Sequence, residues 1–341
     1  MKITMHYAEL KQAREELTGP GGTFEIETIA VRGQQLRAYK NAPPSVREFW
    51  QSTAAFGDRA YLIYGDERLT YAQAHAQVNA IAAWLFAQGV KQGDRVAIAM
   101  RNYPEWMLAY WACVSVGVAA VGMNAWWTPE EMAYALEDSQ PKVLITDAER
   151  LERFRTRPEL AGKMKLVGVR LDSYDADVTP WSDVIAHPGA MPDVTIDGDE
   201  DACIFYTSGT TGHPKGAQLT HRGCIANLFN MLYSAASSAL ATERATGVAP
   251  PDAPPPPVLL VTTPLFHVTA NNCGAYATTA AGGTMVLMYR WDAGDALKLI
   301  AREGVTSMSG VPVMARELIT HPDFEKTNTS TLASLAGGGA Q

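Results

Sequence analysis

Short apolar runs alternate with amphipathic segments along residues 70–146. Thr70 followed by Gln73 is a capping-box pattern, and apolar residues then recur at helical spacing as far as Gly89. The following runs predict, in turn, a strand over Arg95 to Met100, a helix over Pro104 to Val116, a strand over Ala119 to Met123, a helix over Thr128 to Leu136 and a strand over Lys142 to Thr146. This βαβ repetition predicts a mainly parallel sheet covered by helices on both faces.

The longest apolar stretch runs from Trp106 to Met123. Gly117 and Gly122 interrupt it and it is short for a bilayer span, so it predicts a buried helix followed by a buried strand. Tryptophans are frequent here and are interleaved with alanine, leucine and valine rather than with lysine and arginine. Core packing, rather than the stacking of nucleic-acid bases, is therefore the predicted role of Trp84, Trp106, Trp111, Trp126 and Trp127.

Composition divides the chain into three predicted parts. Residues 1–44, with a charged helix candidate and a Pro-Gly-Gly turn, are predicted to form a peripheral arm. A first α/β subdomain is predicted over residues 45–257, and its last segment, Ala241 to Pro257, is rich enough in proline to predict a linker. A second α/β subdomain is predicted over residues 258–341.

Two local signals mark the start of the first subdomain. Ser45 with Glu48 is a second capping-box pattern and predicts a helix through about Ala55. Tyr61 to Tyr64, followed by the turn residues Gly65 and Asp66, predicts a β-hairpin. We expect this hairpin to precede the alternating strands and helices.

Charge and cysteine usage limit the function classes. The 341 residues carry a formal net charge of -8, which argues against a general nucleic-acid role. The four cysteines form no C-x-x-C pair and the first residues form no signal peptide, so we expect a reduced, cytoplasmic protein without a transmembrane segment. Peripheral membrane contact and a homodimer stay open.

The stretch from Ala202 to Gly216 reads ACIFYTSGTTGHPKG, an apolar strand followed by hydroxyls and glycines and then a lysine. Glycines allow backbone N–H groups to turn toward an anion, hydroxyls add donors and lysine adds positive charge. The stretch fails the Walker pattern because Pro214 precedes the lysine and Gly216 follows it, and the loop is predicted to join two strands. A turn without a ligand is the alternative to a phosphate-binding loop with the candidates Thr207, Ser208, Gly209, Thr210, Thr211, Gly212 and Lys215.

The segment YTSGTTGHPKG resembles the phosphate loop of the adenylate-forming superfamily, most closely its acyl-CoA synthetases or fatty-acid–CoA ligases. The segments LTYAQ, GDRVAI, RNYPEW and NAWWTPEEMAYALEDSQPKVLITD also occur in the family's order. The resemblance implies that the loop holds the β- and γ-phosphates of ATP while a carboxylate, with a fatty acid as the expected substrate, attacks the α-phosphorus. Coenzyme A then displaces AMP from the acyl-adenylate, and the implied cofactors are ATP, Mg²⁺ and coenzyme A.

A second motif, Thr263 to His267, reads TPLFH. A lone histidine beside apolar residues is usually structural. The resemblance instead implies that His267 lies near the carboxylate and the α-phosphate, although Thr269 to Asn272 stand where the family commonly has an early glycine. It likewise implies that Gly338, Gly339 and Ala340 belong to a turn along the adenine and the acyl-adenylate.

The family's later motifs are expected beyond Gln341. They comprise a glutamate for Mg²⁺, an aspartate for the ribose, a hinge and a small domain with a catalytic lysine. The expected fold class is therefore layered α/β subdomains, with mainly parallel sheets flanked by helices, truncated before the C-terminal domain of the family. We expect an N-terminal portion that is inactive alone; the alternatives are a non-catalytic nucleotide- or lipid-binding chain and an acyl-AMP ligase that feeds a carrier protein.

Overall fold

Two mainly parallel β-sheets, flanked by helices, form the framework of the described chain. The computed structural model describes residues 7–207, 213–249 and 255–337, and within these ranges the strands form sheets of two, seven and six strands. In each of the two large sheets, the antiparallel pairing within the described ranges is confined to one edge strand. The predicted layered α/β fold with mainly parallel sheets is thereby confirmed.

The elements are numbered in chain order. The strands are β1 Ile26–Val31, β2 Gln34–Tyr39, β3 Ala60–Tyr64, β4 Glu67–Thr70, β5 Arg95–Ala99, β6 Ala119–Gly122, β7 Val143–Asp147, β8 Lys165–Val169, β9 Val178–Pro180, β10 Asp201–Thr207, β11 Lys215–Thr220, β12 Val258–Val261, β13 Thr284–Leu287, β14 Ser307–Gly310 and β15 Ser334–Gly337. The α-helices are α1 Tyr7–Thr18, α2 Val46–Ser52, α3 Tyr71–Ala87, α4 Pro104–Val114, α5 Pro129–Ser139, α6 Ala148–Arg155, α7 Trp181–Ile185, α8 His221–Thr246, α9 Tyr276–Ala280, α10 Ala293–Glu303 and α11 Pro312–Ile319. Short 3₁₀ segments occupy Thr53–Phe56, Pro158–Leu160 and Phe324–Lys326, and a π-helical segment occupies Thr269–Ala275.

The seven-stranded sheet has the order β11-β10-β6-β5-β7-β8-β9. Its central strands alternate their side chains between two cores: Val96 and Ile98 of β5 enter one, whereas Ala97 and Ala99 enter the other. Each central strand is therefore buried on both faces. This explains why the sequence shows continuous apolar runs rather than an alternation of apolar and polar residues.

The six-stranded sheet has the order β15-β14-β12-β13-β3-β4. The hairpin predicted from Tyr61 to Tyr64 and the Gly65-Asp66 turn is present and spans residues 60–70. It lies in this sheet, because Met285 and Val286 of β13 pair in parallel with Leu62 and Ile63 of β3. The two sheets therefore do not separate at a single position of the chain. The proposed boundary between residues 45–257 and 258–341 stays a prediction.

The sheets and helices pack around three cores. Helices α5 and α6 cover one face of the seven-stranded sheet, and α10 and α11 cover one face of the six-stranded sheet. The largest core lies between the sheets and combines side chains of both with those of α2, α3, α4, α8 and α9. Every residue of α4 is buried there, which confirms the prediction of a buried helix in the apolar stretch that begins at Trp106.

Side-chain caps start several helices. Thr70 and Thr128 form complete capping boxes, as predicted. Ser45 also caps its helix, since its hydroxyl oxygen accepts from the Arg47 backbone N–H at 3.1 Å. Glu48 accepts a hydrogen bond from the Ser45 hydroxyl at 2.5 Å. The cap is confirmed, with Glu48 holding the serine side chain.

Helix α8 extends into the predicted linker. It continues from His221 to Thr246 and ends at Gly247, whose φ of 69° gives a left-handed cap. The predicted linker therefore cannot begin at Ala241, because that part of the segment is made of good helix formers and contains no proline before residue 250. Residues 250–254 of the predicted linker lie outside the described residues.

The N-terminal segment packs against α8. Phe24 lies between the rings of Tyr39, Phe229 and Tyr233, with centroid distances of 5.7–6.1 Å. The hydroxyl of Tyr39 donates to Asn230 Oδ1 at 2.7 Å. These contacts attach the hairpin of β1 and β2 to the body of the protein at one end.

Two histidines in the central core are held neutral. His221 is fully buried and its Nδ1 accepts a hydrogen bond from the backbone N–H of Val46 at 3.2 Å, which joins the first turns of α8 and α2. His75 stacks on Trp50 with ring centroids 4.1 Å apart. Burial lowers the pKa of each ring from 6.5 to about 4.

We predict that acid destabilises the fold through these rings. Below pH 6.5 the unfolded chain binds protons that the folded rings accept only near pH 4. The contribution of these rings to the free energy of unfolding is therefore fully present above pH 6.5 and is lost as the pH falls from 6.5 to about 4. For His221 the loss approaches about 3 kcal/mol. Urea unfolding of the wild-type protein and of His221→Asn, whose amide oxygen can still accept from Val46, measures the effect.

The variant should have the flatter pH dependence below 6.5. His187→Asn is the matched control, since its ring lies outside the core. Equal slopes for the wild-type protein and His221→Asn would show that His221 is not the titrating group.

Candidate functional site

The site candidates within the described residues, Thr207, Lys215 and His267, lie at or after strand ends. Strands β10 and β6 are parallel neighbours, with Phe205 opposite Gly122, and β10 continues into the predicted phosphate loop. In the other sheet, β12 ends at Val261 and continues into the TPLFH turn. Ligands of parallel α/β sheets commonly bind at such carboxyl ends.

The predicted loop does join two strands. Strands β10 and β11 are antiparallel, and Thr207 pairs with Lys215 across the loop, with the Thr207 hydroxyl 3.4 Å from the Lys215 carbonyl oxygen that accepts from it. The side chains of both residues are exposed. The candidates Ser208, Gly209, Thr210, Thr211 and Gly212 lie outside the described residues, as do Gly338, Gly339 and Ala340 after β15.

Both ends of the loop contact α5. The Tyr206 hydroxyl donates to Asp138 Oδ2 at 2.6 Å and lies 3.2 Å from the Ala135 carbonyl oxygen. Burial, together with the adjacent Asp138 carboxylate, raises the pKa of Tyr206, so the phenol stays a hydrogen-bond donor. After the loop, the His213 ring stacks on Tyr134 at 4.7 Å. These contacts fix the two positions from which the loop departs.

His267 is exposed, unlike a core histidine. Its backbone N–H donates to the Pro264 carbonyl oxygen at 3.1 Å, and its Nδ1 accepts from the Thr269 N–H at 3.2 Å. In the neutral ring the proton therefore lies on Nε2, which leaves this nitrogen as a donor toward solvent or a ligand. The role of His267 stays a prediction, but its exposure and tautomer fit contact with an anionic oxygen.

Behind His267 the chain forms the π-helical segment that begins at Thr269. Asn271 and Asn272 are buried there, and Asn272 Nδ2 donates to Cys224 Sγ at 3.3 Å. Cys203 and Cys224, distant in sequence, have sulfur atoms 4.0 Å apart, and all four cysteines are free. The Oδ1 atom of Asn271 is buried without a hydrogen-bond partner among the described residues.

The TPLFH turn is attached to the other sheet. Asn102, which follows β5, donates from Nδ2 to the Thr263 carbonyl oxygen at 3.0 Å and accepts at Oδ1 from the Leu265 N–H at 2.9 Å. A Cβ atom on Gly122 would lie 2.7 Å from the Phe205 ring and 3.3 Å from the Phe266 carbonyl oxygen. Hence the strand that leads into the loop and the turn that carries His267 meet across Gly122.

A cationic and aromatic group lies beside this junction, and sequence reasoning missed it. The Arg101 guanidinium lies 5.0 Å from the Trp126 ring and 5.3 Å from the Tyr289 ring, and its buried Nε has no hydrogen-bond partner among the described residues. Trp126 in turn meets Phe266 edge-on at 5.2 Å. The arrangement can attract an anionic group to the carboxyl ends of both sheets.

The assignment of Trp126 to core packing is wrong, because its side chain is 56% exposed. The segment that carries it is held by its backbone: Arg150 Nε donates to the Ala125 carbonyl oxygen at 3.0 Å, and Arg153 Nη1 donates to the carbonyl oxygens of Ala125 and Trp127 at 2.9 and 2.8 Å. The backbone of the loop after β6 therefore places Trp126 at the surface. The assignment to packing is correct for Trp84, Trp106, Trp111 and Trp127.

A cavity of about 740 Å³ lies elsewhere, beneath the hairpin of β1 and β2. Asp199 and Thr220, which line it, are near the amino end of β10, so the cavity is at the opposite edge of the sheet from the loop. Two of its arginines are bonded to Asp199: Arg222 Nε donates to the carboxylate Oδ1 at 2.8 Å, and Arg32 donates to the backbone carbonyl oxygen at 2.9 Å. Because the cavity lies at the other end of β10, it takes no part in chemistry at the loop.

No helix in the described part of the chain is long and apolar enough to cross a membrane. No group of three or more histidine, cysteine, aspartate or glutamate side chains within those same residues is arranged to hold a metal ion.

Comparison with known proteins adds sequence relatives. A family model described as "AMP-binding enzyme" matches residues 49–341. A feruloyl-CoA synthase of Amycolatopsis sp is 32% identical over 277 residues, which cover 81% of this chain and 50% of that protein. The 4-coumarate–CoA ligase 1 of Petroselinum crispum is 26% identical over 294 residues, which cover 85% and 51%. The chain spans about half the length of the curated relatives it matches.

A solved structure agrees with the fold. The N-terminal domain of FACL13 from Mycobacterium tuberculosis superposes with a TM-score of 0.71 at 26% sequence identity. The match covers 87% of this chain and 70% of that chain.

Trp126 and Trp127, which are adjacent in sequence, provide a test of the exposed position of Trp126. Trp127→Ala should lower the free energy of unfolding by about 3–5 kcal/mol, because this side chain is 7% exposed and packs on Tyr206. Trp126→Ala should cost about 1 kcal/mol, from its contacts with Arg101 and Phe266. Urea unfolding measures both. A loss in Trp126→Ala as large as that in Trp127→Ala would contradict the exposed position of Trp126.

Proposed function

Because this chain belongs to the AMP-binding enzyme family, we propose that it is the part of an acid–thiol ligase that binds ATP and a carboxylic acid. The observation that carries the proposal is the meeting of two segments at Gly122: the strand that leads into the hydroxyl and glycine loop, and the turn that carries His267. The loop supplies groups for phosphates. The turn supplies a donor on the side from which a carboxylate can approach.

The proposed reaction has two steps. A carboxylate oxygen of the acid attacks the α-phosphorus of ATP, the bond to the bridging oxygen breaks, and pyrophosphate leaves. The thiol of coenzyme A, after loss of its proton, then attacks the acyl carbon, and AMP leaves with the electron pair of the broken C–O bond. The chain covers about half of its curated relatives, so this activity is proposed for the complete protein.

We assign the phosphates of ATP to the loop between β10 and β11. Thr207 and Lys215 flank it as exposed, paired residues, and the intervening candidates 208–212 are proposed from the sequence. Lys215 is proposed to contact a phosphate oxygen, since a charge-assisted hydrogen bond stabilises such an anion. Gly338, Gly339 and Ala340 are proposed to lie along the adenine.

His267 is proposed to contact the acid carboxylate and the α-phosphate. Its Nε2–H is the available donor, because Nδ1 is occupied by the Thr269 N–H. A donor aimed at the oxygens that gain charge in the transition state lowers the barrier. Arg101, which is beside the same junction, adds positive potential there.

Mg²⁺ is proposed as a partner of the ATP phosphates. It would neutralise phosphate charge during pyrophosphate departure. The described residues assemble no cluster of acidic, histidine or cysteine side chains for it, so no protein ligand for the ion is assigned here.

The acid is proposed to be a fatty acid, with a hydroxycinnamic acid as the second candidate. A solved fatty acyl CoA synthetase from Mycobacterium tuberculosis, which is 25% identical to this chain, favours the first. The 32% identity to a feruloyl-CoA synthase favours the second. Coenzyme A is the proposed acceptor, and a carrier-protein thiol is the alternative. A cytoplasmic location is part of the same proposal.

Acid-dependent ATP–pyrophosphate exchange by the full-length protein tests the first step. Saturated fatty acids of several lengths, ferulate and 4-coumarate form the panel, and coenzyme A or a phosphopantetheinyl carrier protein is then added to test the second step. Exchange with at least one acid and a CoA thioester are expected. ATP binding without exchange for any acid would favour the non-catalytic alternative.

Lys215→Ala in the full-length protein should reduce ATP use about tenfold to hundredfold, the cost of a lost hydrogen bond to a charged group. Exchange rates at varied ATP concentration measure it, and thermal unfolding checks the fold. Lys298→Ala is the matched control, because this lysine forms an exposed pair with Asp295 on α10. Unchanged ATP kinetics in Lys215→Ala would remove Lys215 from the site.

His267→Ala should slow adenylation by about tenfold to hundredfold for the same physical reason. Its melting temperature should change little, because the side chain is exposed. Exchange rate and thermal unfolding are measured on the same preparations. If the melting temperature collapses while the folded fraction adenylates normally, His267 has a structural role instead.

A further inference from the structure

Asn102 is a buried amide between the two sheets. It follows β5 of the seven-stranded sheet and is 6% exposed. Its two side-chain hydrogen bonds both go to the backbone of the TPLFH turn, to Thr263 and Leu265, which are 161 and 163 residues away in sequence. A buried side chain that bonds a distant backbone turn restricts where that turn can lie.

The chemistry of the amide matches this task. One planar group donates to the carbonyl of Thr263 and accepts from the N–H two residues later, as a neighbouring strand would. The orientation of the amide follows from its partners, because a flipped amide would place oxygen against oxygen and N–H against N–H. Aspartate lacks the donor and alanine lacks both groups.

The two residues that Asn102 holds, Thr263 and Leu265, precede His267 in the same turn. The His267 N–H bonds the carbonyl of Pro264, which lies between the two residues that Asn102 holds. A second restraint comes from Gly122, whose lack of a side chain lets the Phe266 carbonyl approach β6. The turn follows β12 of the six-stranded sheet along the chain, but residues at β5 and β6 of the seven-stranded sheet hold it in place.

We infer that Asn102 is a positioning residue for adenylation, which places His267 relative to β10, the strand that leads into the loop, without touching the substrate. The inference rests on the proposed function and goes beyond it, since it gives a role to a residue outside both motifs. Loss of the two hydrogen bonds from Asn102 lets the turn move relative to β10. A displacement of the imidazole by about 1 Å is enough to cost a large part of its contribution.

A double-mutant cycle in the full-length protein tests the inference. Asn102→Ala should lower the exchange rate at saturating substrates about tenfold or more, with a smaller effect on the KM for ATP. In the His267→Ala background the same substitution should cost about twofold or less, because the residue through which it acts is gone. An equal loss in both backgrounds overturns the inference.

Hydrogen exchange of residues 263–268 gives a readout that does not depend on catalysis. Without its acceptor on Asn102, the Leu265 amide should exchange faster in Asn102→Ala. Asn328→Ala is the control, because Asn328 also accepts from a backbone N–H but lies in an exposed turn. Asn328→Ala should change neither hydrogen exchange at residues 263–268 nor activity. Unchanged protection of this segment in Asn102→Ala would show that Asn102 does not hold the turn, and overturns the inference.

Asn102→Asp covers the case in which the alanine variant does not fold. The introduced carboxyl keeps the shape and the acceptor, and once protonated it also regains a donor for Thr263. Its activity relative to wild type should therefore rise as the pH falls from about 8 to about 6, because burial raises the pKa of a carboxyl. A pH-independent ratio overturns the inference. An inactive wild-type protein would instead refute the proposed function itself.

Discussion

The close approach of backbone to side chain at Gly122 is the constraint on which the site depends. The Phe205 ring of β10 and the Phe266 carbonyl both approach the position that a Cβ atom of this glycine would occupy, at distances that leave no room for it. The chain continues from Phe205 into the loop and from Phe266 to His267. The spacing between two segments 60 residues apart in sequence is thus set by a residue that belongs to neither, with Asn102 holding the second segment from behind.

Local signals in the sequence predicted the elements that bear the site. The capping boxes at Thr70 and Thr128 are complete, and the loop joins two strands, as the apolar residues before it and the short strand after it indicate. Such features depend on residues within a few positions of one another, so they are readable from the chain alone. Even there, the geometry differs in detail, since Glu48 holds the Ser45 hydroxyl.

Long-range contacts could not be predicted in this way. The hairpin over residues 60–70 pairs with β13, more than 200 residues later, and the amide of Asn102 finds its partners at a similar separation. Trp126 and Trp127 have almost the same neighbours in sequence, yet one is exposed and the other buried. What separates them is the direction in which the loop turns after β6, which Arg150 and Arg153 determine through backbone carbonyls.

Electrostatics connects these contacts to function. A chain with a net charge of -8 repels anions at long range, so an anionic substrate must be attracted by local cations. Lys215 stands at the end of the loop, and Arg101 lies between Trp126 and Tyr289 at the same edge of the sheets. Stacking leaves the guanidinium charged, and its buried Nε has no hydrogen-bond partner among the described residues. The carboxyl ends of the two sheets therefore combine positive charge with free hydrogen-bond donors, the pair of properties that phosphate and carboxylate groups require.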